Sequence, residues 1–157
     1  MPRRARLVLE NVCYHVITRG NQKNTVFRDE EDYRQYLKLL ARYKTRFGSK
    51  IYGWCLMNNH VHIVMESGSL SRFMHGVNLS YAQYFRYKYK TIGHFWQDRF
   101  KSYVIQKDQY LLNCITYIEH NPVRAKIALR PEDYGWSSYN MRILGRDGNE
   151  LLDMPIL

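Results

Sequence analysis

The sequence predicts an α+β domain in which helices pack on a face of an antiparallel sheet. Its 157 residues suit a single domain, and 45% hydrophobic residues suffice for a core. Strand-like and helix-like segments follow in the order strand, helix, strand, strand, helix, short strand, helix, with no repeat or linker between them. The two adjacent strands are separated by only two residues, which favours an antiparallel pair. We therefore expect one domain over residues 1–157, with a basic N-terminal arm over 1–7 and a short tail over about 141–157.

The first part of the chain is predicted to be a strand followed by a helix. Residues 13–19, "CYHVITR", are rich in β-branched and aromatic residues and indicate a strand. After a polar break, Asp29 is expected to cap a helix whose apolar side chains recur at helical spacing to about Phe47. Gly48 is expected to end that helix, because glycine readily adopts the left-handed conformation of a C-terminal cap.

The middle of the chain is predicted to be a hairpin followed by a long helix. Residues 51–57 and 60–66 are both strand-like. The Asn58-Asn59 pair between them suits a tight turn, because asparagine tolerates positive φ. Ser71 is then expected to cap an amphipathic helix. A polar and aromatic loop and a short strand follow that helix.

The last long helix carries two separate stripes of side chains. It is expected to begin at the cap Asp108 and to stop before Pro122. The first stripe is apolar and consists of Leu111, Leu112, Ile115 and Ile118. The second is spaced by four, three and four residues and consists of Tyr110, Cys114, Tyr117 and Asn121. Tyr117 and Asn121 are therefore predicted to be neighbours on one helix face.

The charge balance indicates a polyanionic partner. Lys and Arg number 24 against 14 Asp and Glu, which gives a net charge of +10. The basic residues are interleaved with 14 tyrosines and 3 tryptophans. This combination favours single-stranded nucleic acid, since charges follow the backbone and aromatic rings stack on unpaired bases. The alternative is that the excess charge serves only solubility.

Cysteine usage and hydropathy favour a cytoplasmic protein without a membrane partner. Cys13, Cys55 and Cys114 are odd in number and far apart, and they match neither a disulfide framework nor a zinc-type pairing. We therefore expect free thiols in a reducing compartment. No apolar run approaches the roughly 20 residues of a membrane span. The basic start of the chain lacks the apolar stretch of a signal peptide.

The segment "MNNHVHIVM" raises the question of metal binding. Alternate residues of a strand point to the same face, so His60 and His62 are expected to project together, opposite Val61 and Ile63. Two imidazoles on one strand can hold one divalent cation if further ligands join them. The alternative is a pair of partly buried histidines that hydrogen-bond to a neighbouring strand. Histidine-triad nucleotide hydrolases and zinc enzymes use similar spacings, so the pair alone does not decide the chemistry.

The second stripe of the last helix could complete such a site. If this face meets His60 and His62, Asn121 can offer a side-chain oxygen to the metal, and Tyr117 would lie beside it. A tyrosine near a metal-bound phosphate can act as a covalent nucleophile once its phenol is deprotonated. The alternatives are that Tyr117 is an aromatic residue at the edge of the core and that Asn121 only ends the helix.

Seven short segments in order carry a resemblance to a known family. They are "PRRARL", "YHVITRGN" with "VFRDEEDY", "LMNNHVHIVM", "GHFWQDRFKS", "YIEHNPVRA" and "YGWSSY". Over roughly residues 2–139 the chain resembles the REP-associated tyrosine transposases, which are relatives of the single-tyrosine HUH transposases. The resemblance implies a ferredoxin-like antiparallel sheet with packed helices, as in HUH endonucleases. The family often has "MPNHVH" where this chain has "MNNHVH", a change that should alter the turn and leave the histidines in place.

The resemblance also implies a reaction and the residues that perform it. His60 and His62 match the metal-binding pair, and Tyr117 matches the nucleophile. Asn121 matches the third ligand, which related transposases supply as glutamine. The expected cofactor is Mg²⁺ or Mn²⁺, which polarises the scissile phosphate. The tyrosine attacks single-stranded DNA at the foot of a hairpin, leaves a 5′-phosphotyrosine and a free 3′-hydroxyl, and a second hydroxyl can rejoin the strands.

Basic and aromatic residues outside this set are candidates for DNA binding. They are Arg3, Arg4, Arg6, Arg19, Asn21, His94, Trp96, Arg99, Lys101 and Arg124. Two of them have structural alternatives. Trp96 could be a core aromatic, and Arg124 could only neutralise the dipole at the end of its helix.

Two further functional hypotheses belong to other classes. One is a domesticated hairpin-binding protein that no longer cuts DNA, and the other is an RNA-binding regulator, which would not need the histidine pair. The expected partner in the leading hypothesis is single-stranded or hairpin DNA of the nucleoid. The chain would act as a monomer or as a homodimer that exchanges the tyrosine helix.

Overall fold

The structure, a computed structural model, describes residues 12–106, 109–145 and 151–155. Its four strands are β1 (Cys13–Arg19), β2 (Lys50–Leu56), β3 (His60–Glu66) and β4 (Lys101–Ile105). Its helices are α1 (Glu30–Phe47), α2 (Leu70–Tyr89), α3 (Gln109–Glu119), α4 (Asn121–Arg124) and α5 (Tyr139–Leu144). Single turns of 3-10 helix lie at Asn21–Lys23 and Pro131–Asp133. No helix in the described part of the chain is long and apolar enough to cross a membrane.

The sheet has the ferredoxin-like arrangement. Its strand order is β2-β3-β1-β4, and every neighbouring pair is antiparallel. With α1 between β1 and β2 and α2 between β3 and β4, the chain makes the β-α-β-β-α-β pattern. The predicted α+β class is therefore confirmed. The register places His62 of β3 between Ile17 of β1 and Cys55 of β2.

Alternation along β3 divides its side chains between two cores. Val61, Ile63 and Met65 are fully buried in the larger core, where α1 and α2 pack together. The predicted orientation of Val61 and Ile63 is thus confirmed. Val64 points to the opposite face, where it joins the smaller core under α3.

Helix α3 packs on the β2 and β3 part of this second face. Leu111, Ile115 and Ile118 supply its buried side chains, as the apolar stripe predicted, whereas Leu112 is only partly buried. The helix comes close to β2 at Gly53. A Cβ atom there would lie 3.3 Å from Cγ2 of Ile115, closer than most packed side chains lie. The absence of a side chain at this position allows α3 to seat itself on the sheet.

The last segments of the chain close the outer edge of β2. Leu56 and Trp54 of β2 hydrogen-bond to the backbone around residues 136–138, and Ile51 bonds to Asp153. Ser138 also donates to the buried carboxylate of Glu119, which forms an ion pair with Arg142. This edge is therefore covered, and the end of α3 is tied to α5.

The predicted ends of α1 and the predicted hairpin are confirmed, but the hairpin turn has a different backbone conformation from the one expected. Asp29 caps α1 with a complete capping box, and Gly48 ends it at φ 61°. The β2–β3 turn forms as expected, but neither Asn58 nor Asn59 has a positive φ. Instead, the Asn58 carbonyl accepts a 2.7 Å bond from the Val26 amide, a contact that a hairpin by itself does not require.

The predicted start of α2 differs from the structure, whereas the predicted end of the last long helix before Pro122 is confirmed. Helix α2 begins at Leu70, so Ser71 lies inside it, and the preceding Ser69 makes no side-chain cap. Leu70 is buried, so core packing sets this start rather than a cap. Helix α3 ends at Glu119, and the helical path resumes as α4 with Pro122 in its first turn, where proline is tolerated. The expected cap Asp108 lies outside the described residues.

The three cysteines are free thiols, as predicted. Cys13 and Cys55 are buried, and Cys114 is partly buried. Burial raises the pKa of the Cys55 thiol to about 12 and that of Cys114 to about 11. These thiols are therefore protonated at neutral pH and serve as packing residues.

A buried carboxylate fastens the start of α1 to the end of α2. Asp32 is completely buried and accepts bonds from the Tyr84 and Tyr89 hydroxyls at 2.8 Å and 2.5 Å. Lys88 adds an ion pair at 3.0 Å. The same carboxylate accepts the backbone amide of Asp29 at 3.3 Å in the capping box. One side chain thus joins the helix start and the packing of the two helices.

Asp32→Ala should destabilise the fold by about 2 kcal/mol, because the Tyr89 hydroxyl and the Arg28 amide lose their acceptor and the contact between the two helices is weakened. Urea denaturation followed by circular dichroism measures this loss. Glu30→Ala is the matched control in the same helical turn, since Glu30 makes only an exposed pair with Arg34 at 2.9 Å. Equal midpoints for the two variants would contradict the role assigned to Asp32.

Candidate active site

Two histidines of β3 project from the sheet face that α3 partly covers. His60 lies opposite Arg19 in the register, and His62 lies opposite Ile17. Their ring centroids are 5.0 Å apart. His62 is 6% exposed, whereas His60 is partly open to solvent. The two histidines therefore share one face of the sheet, as predicted. The His62 ring is buried, and the His60 ring is partly exposed.

Each of these rings is held through its Nδ1 atom. Nδ1 of His60 lies 2.6 Å from Oδ1 of Asn59. Nδ1 of His62 lies 2.9 Å from Nε2 of His15 on β1. The rings of His15 and His62 are stacked with centroids 5.1 Å apart. The sequence analysis gave Asn59 a role only in the turn and gave His15 no role, because the contact of His15 depends on the β1–β3 register.

Burial keeps both histidines of β3 neutral. It lowers the pKa of His62 to about 3, with smaller contributions from the charges of His60, His15, Arg19 and Arg124. It lowers the pKa of His60 to about 4, helped by Arg19. Neutral imidazole is the form that offers a lone pair to a metal ion.

Tyr117 lies on the exposed side of α3, with 55% of its surface open to solvent. The Arg124 guanidinium stacks over its ring, with Cζ 3.7 Å from the ring centroid. Arg124 also donates to the Tyr117 carbonyl at 2.6 Å and to Oδ1 of Asn121. The charge of Arg124 makes a small contribution to the low pKa of His62, and helix α3 packs against β3.

The two histidines of this region have the properties of ligands for a divalent metal ion, whereas Asn121 has them only in part. Both histidines are neutral, and no hydrogen bond to a described residue involves the Nε2 atom of either ring. Asn121 has its oxygen engaged by Arg124, and its buried Nδ2 has no partner among the described residues. No group of three His, Cys, Asp or Glu side chains suited to a metal occurs in the described ranges. Within the described ranges, the side-chain oxygen of Asn121 is the candidate for a third protein ligand.

The sequence model of the family "Transposase IS200 like" matches residues 8–121. The chain belongs to this transposase family. A comparison with curated protein sequences gave no significant match. The matched region covers β1 to the start of α4, and it includes His60, His62, Tyr117 and Asn121.

Two solved structures resemble the fold of this transposase. One is a REP-associated tyrosine transposase bound to a REP hairpin, with a TM-score of 0.75 and 16% identity over 99% of this chain and 93% of that chain. The other is a putative transposase from Deinococcus radiodurans, with a TM-score of 0.51 and 18% identity over 76% of this chain and 97% of that one. These likenesses show the shared fold.

Two of the predicted DNA-contact residues of the transposase lie on the histidine face. Arg19 is exposed opposite His60, and Lys101 is exposed opposite Ile17. Tyr103 shares this face two residues further along β4 and is 53% exposed. The surface formed by Arg19, Lys101 and Tyr103 is named the open face below. Tyr103 was not predicted, because its exposure follows from α3 lying over the other strands.

Other predicted contacts lie in the loop between α2 and β4. His94 and Arg99 are exposed there, and Asn21 is held to this loop by a 2.9 Å bond from its amide to the Phe95 carbonyl. Arg124, as described above, is occupied by Tyr117 and Asn121. The basic arm residues Arg3, Arg4 and Arg6 lie outside the described residues.

Trp96 packs at the margin of the larger core. Its Nε1–H donates to the Asn78 carbonyl at 2.9 Å, and its ring centroid is 4.9 Å from that of Phe95. The ring is only partly exposed, and its backbone bridges to Gly20. These contacts favour the structural alternative for Trp96, and stacking on a base stays a prediction.

Two grooves flank the loop that carries His94. The first encloses about 700 Å³ and includes Arg28, Asn58 and Arg86 in its wall. The second encloses about 490 Å³ and shares Arg86 and His94. Neither groove is lined by His60, His62 or Tyr117.

With metal removed by a chelator, a fall in pH should lower the free energy of unfolding of the transposase, because His62 is buried as the neutral ring. The folded state holds this pKa far below the unfolded value of about 6.5, so the unfolded chain takes up the proton first. The stabilising effect of the neutral ring is complete above about pH 6.5 and is lost as pH falls toward 4. Urea denaturation between pH 7 and pH 4 should show a smaller loss of stability for His62→Gln than for wild type. The exposed His94→Gln is the control, and equal pH slopes for wild type and His62→Gln would contradict this origin.

Proposed function

We propose that this chain is a metal-dependent transposase and endonuclease of single-stranded DNA that cuts and rejoins hairpin sites through a phosphotyrosine on Tyr117. The observation that carries the proposal is the pair of neutral histidines, each held through Nδ1, beside a helix that exposes a tyrosine. Membership of the IS200-like transposase family supports the same reaction class. An RNA-binding regulator, the alternative function, would not require the histidine pair.

His60 and His62 are the proposed metal ligands, and Mg²⁺ or Mn²⁺ is the proposed ion. When bound, the ion would polarise the scissile phosphate and stabilise the charge that develops on it. Asn121 is the proposed third protein ligand through Oδ1. That oxygen has a second lone pair, so a bond from Arg124 does not exclude a ligand role.

Tyr117 is the proposed nucleophile. Its phenolic oxygen attacks the phosphorus, the bond from phosphorus to the 3′-oxygen breaks, and the 3′-oxygen leaves as a hydroxyl after taking up a proton. The phenolic proton passes to solvent, which reaches Tyr117 freely. Attack by a 3′-hydroxyl on the phosphotyrosine reverses these steps and joins strands. The Arg124 guanidinium 3.7 Å from the ring places a positive charge where the phosphate would arrive.

Hairpin DNA with single-stranded flanks is the proposed substrate. A structurally similar transposase is bound to a REP hairpin. On this chain, Arg19 and Lys101 would neutralise phosphates of the strand that crosses the open face, and Tyr103 would stack on an unpaired base. His94, Arg99, Asn21 and the arginines of the basic arm are the proposed contacts to the hairpin. The protein would act at the nucleoid as a monomer or a homodimer.

A hairpin-binding protein without cleavage is the second candidate. The bond from Arg124 to the Asn121 oxygen favours it, because this oxygen must also face the metal for full ligation. The two candidates differ in one measurable property. Only the enzyme forms a covalent bond to DNA.

Tyr117→Phe should bind hairpin DNA as wild type does and form no covalent adduct, because it loses only the attacking oxygen. The measurement is a denaturing gel with labelled hairpins from the protein's own genomic neighbourhood and Mg²⁺ or Mn²⁺. Tyr110→Phe is the matched control, since Tyr110 lies two turns earlier on the same stripe and is 65% exposed. An adduct that persists in Tyr117→Phe would move the nucleophile elsewhere. No adduct from wild type on any native hairpin would favour the binding protein.

Affinity for hairpins should fall steeply with salt, because a domain of net charge +10 displaces counterions from DNA. Fluorescence anisotropy between 50 and 200 mM salt should show a loss of about tenfold or more if several phosphates are contacted. Lys101→Ala should reduce the slope of log affinity against log salt by roughly one. Lys38→Ala, on α1 behind the sheet, is the control. Equal affinity for blunt duplex and for flanked hairpin would argue against recognition of single strands.

A further inference from the structure

His15 occupies a place in the site that no ligand or nucleophile role explains. It lies on β1 opposite Val64 and Tyr103, with its ring partly buried. Its Nε2 atom faces Nδ1 of His62 at 2.9 Å. This distance is a hydrogen bond and is too short for a metal ion to lie between the two nitrogens. His15 therefore acts on His62 directly, through the nitrogen atom that faces it.

A hydrogen bond between two neutral imidazoles has a direction. One nitrogen must donate its proton and the other must accept it. If Nδ1 of His62 donates to His15, then Nε2 of His62 keeps a free lone pair. If His15 donates instead, the proton of His62 must lie on Nε2, and the remaining lone pair already accepts a bond. Only the first direction leaves His62 able to bind a metal.

We propose that His15 is a positioning residue that accepts the Nδ1 proton of His62 and thereby fixes the tautomer whose Nε2 binds the metal. The inference rests on the metal site of the proposed function. Metal-bound histidines commonly donate their second N–H to a neighbouring acceptor, which fixes both tautomer and ring orientation. Asn59 has the same relation to His60, since its amide oxygen lies 2.6 Å from Nδ1. In each of the two histidines, a neighbouring side chain thus accepts the Nδ1 proton and leaves Nε2 for the metal.

The environment of His15 restricts its ring as this role requires. The planes of the His15 and His62 rings differ by only 28°, and the Tyr103 ring centroid lies 6.2 Å from that of His15 on the neighbouring strand. β1 is hydrogen-bonded on both sides, by β3 and by β4, so its backbone is fixed. A side chain held in this way can impose an orientation on its neighbour. His62 itself is 6% exposed, so water has little access to replace the bond.

The first test is the tautomer of His62 in the metal-free protein. Long-range ¹H–¹⁵N NMR of ¹⁵N-histidine-labelled full-length protein distinguishes an Nδ1–H from an Nε2–H ring. We expect Nδ1–H for His62 in wild type and in His15→Gln, whose amide oxygen can accept the same proton. In His15→Leu, which matches the size and removes the acceptor, the Nε2–H form should appear. Nε2–H in wild type would overturn the proposal.

The second test is the affinity for Mn²⁺, measured by the loss of the electron paramagnetic resonance signal of the free ion. His15→Leu should weaken binding by about 10–100-fold, as is usual for the loss of a partner of a metal ligand. His15→Gln should stay within about threefold of wild type. Hairpin binding in chelator and thermal melting should be close to wild type for both variants. Equal losses in Gln and Leu, or no loss in Leu, would overturn the positioning role.

Failure of the underlying metal site has a different signature. Wild-type protein whose Mn²⁺ binding is absent, or is unchanged in His60→Ala, would remove the metal from the proposed function and with it this role of His15. If instead His60→Ala binds Mn²⁺ more weakly than wild type, the metal site stands. Mn²⁺ affinities of the His15 variants that differ from those expected above then concern His15 alone. That result overturns the positioning role alone.

Discussion

The packing of α3 on one half of a sheet face is the constraint on which the candidate site depends. The helix buries Leu111, Ile115 and Ile118 against β2 and β3, and it comes close because Gly53 has no side chain. Burial of three such side chains contributes several kcal/mol, on the order of 1.5–3 kcal/mol each. The same packing leaves the β1 and β4 side of the face open.

Because α3 covers only part of this sheet face, the two histidines differ in exposure to solvent. His62 lies under the border of the helix and is desolvated, whereas His60 lies nearer the open face and remains partly exposed. Tyr117 faces outward from the same helix, so the buried stripe of α3 determines where its reactive group lies. A shift of α3 along β2 would therefore change the distance between nucleophile and metal ligands. The ion pair of Glu119 with Arg142 opposes such a shift, because it ties the end of the helix to α5.

Features that depend on neighbours in sequence were predictable here. The bounds of β1, the capping box at Asp29 and the left-handed Gly48 depend on local preferences, and all three were predicted. The shared face of His60 and His62 follows from strand periodicity alone. Helical spacing made Tyr117 a candidate as the neighbour of Asn121, and the family resemblance was needed to choose it over a structural role among 14 tyrosines.

Features that depend on register or on tertiary contacts were not predictable. The bond between His15 and His62 exists because β1 and β3 pair in one register, which neither segment specifies by itself. The turn at Asn58 is set by its bond to Val26, and the start of α2 is set by burial of Leu70. The stacking of Arg124 on Tyr117 requires the break between α3 and α4 at His120. Sequence periodicity predicts which side chains share an element, whereas these contacts join different elements.

Mass spectrometry of the DNA-linked protein tests the central claim most directly. Wild-type protein would be incubated with a native hairpin and Mn²⁺, denatured, and digested with nuclease and trypsin. The tryptic peptide 108–124 contains both Tyr110 and Tyr117, so fragmentation can assign the linked residue within one peptide. The account predicts a nucleotide joined through its 5′-phosphate to Tyr117. A nucleotide on Tyr110 or on any other residue would contradict it.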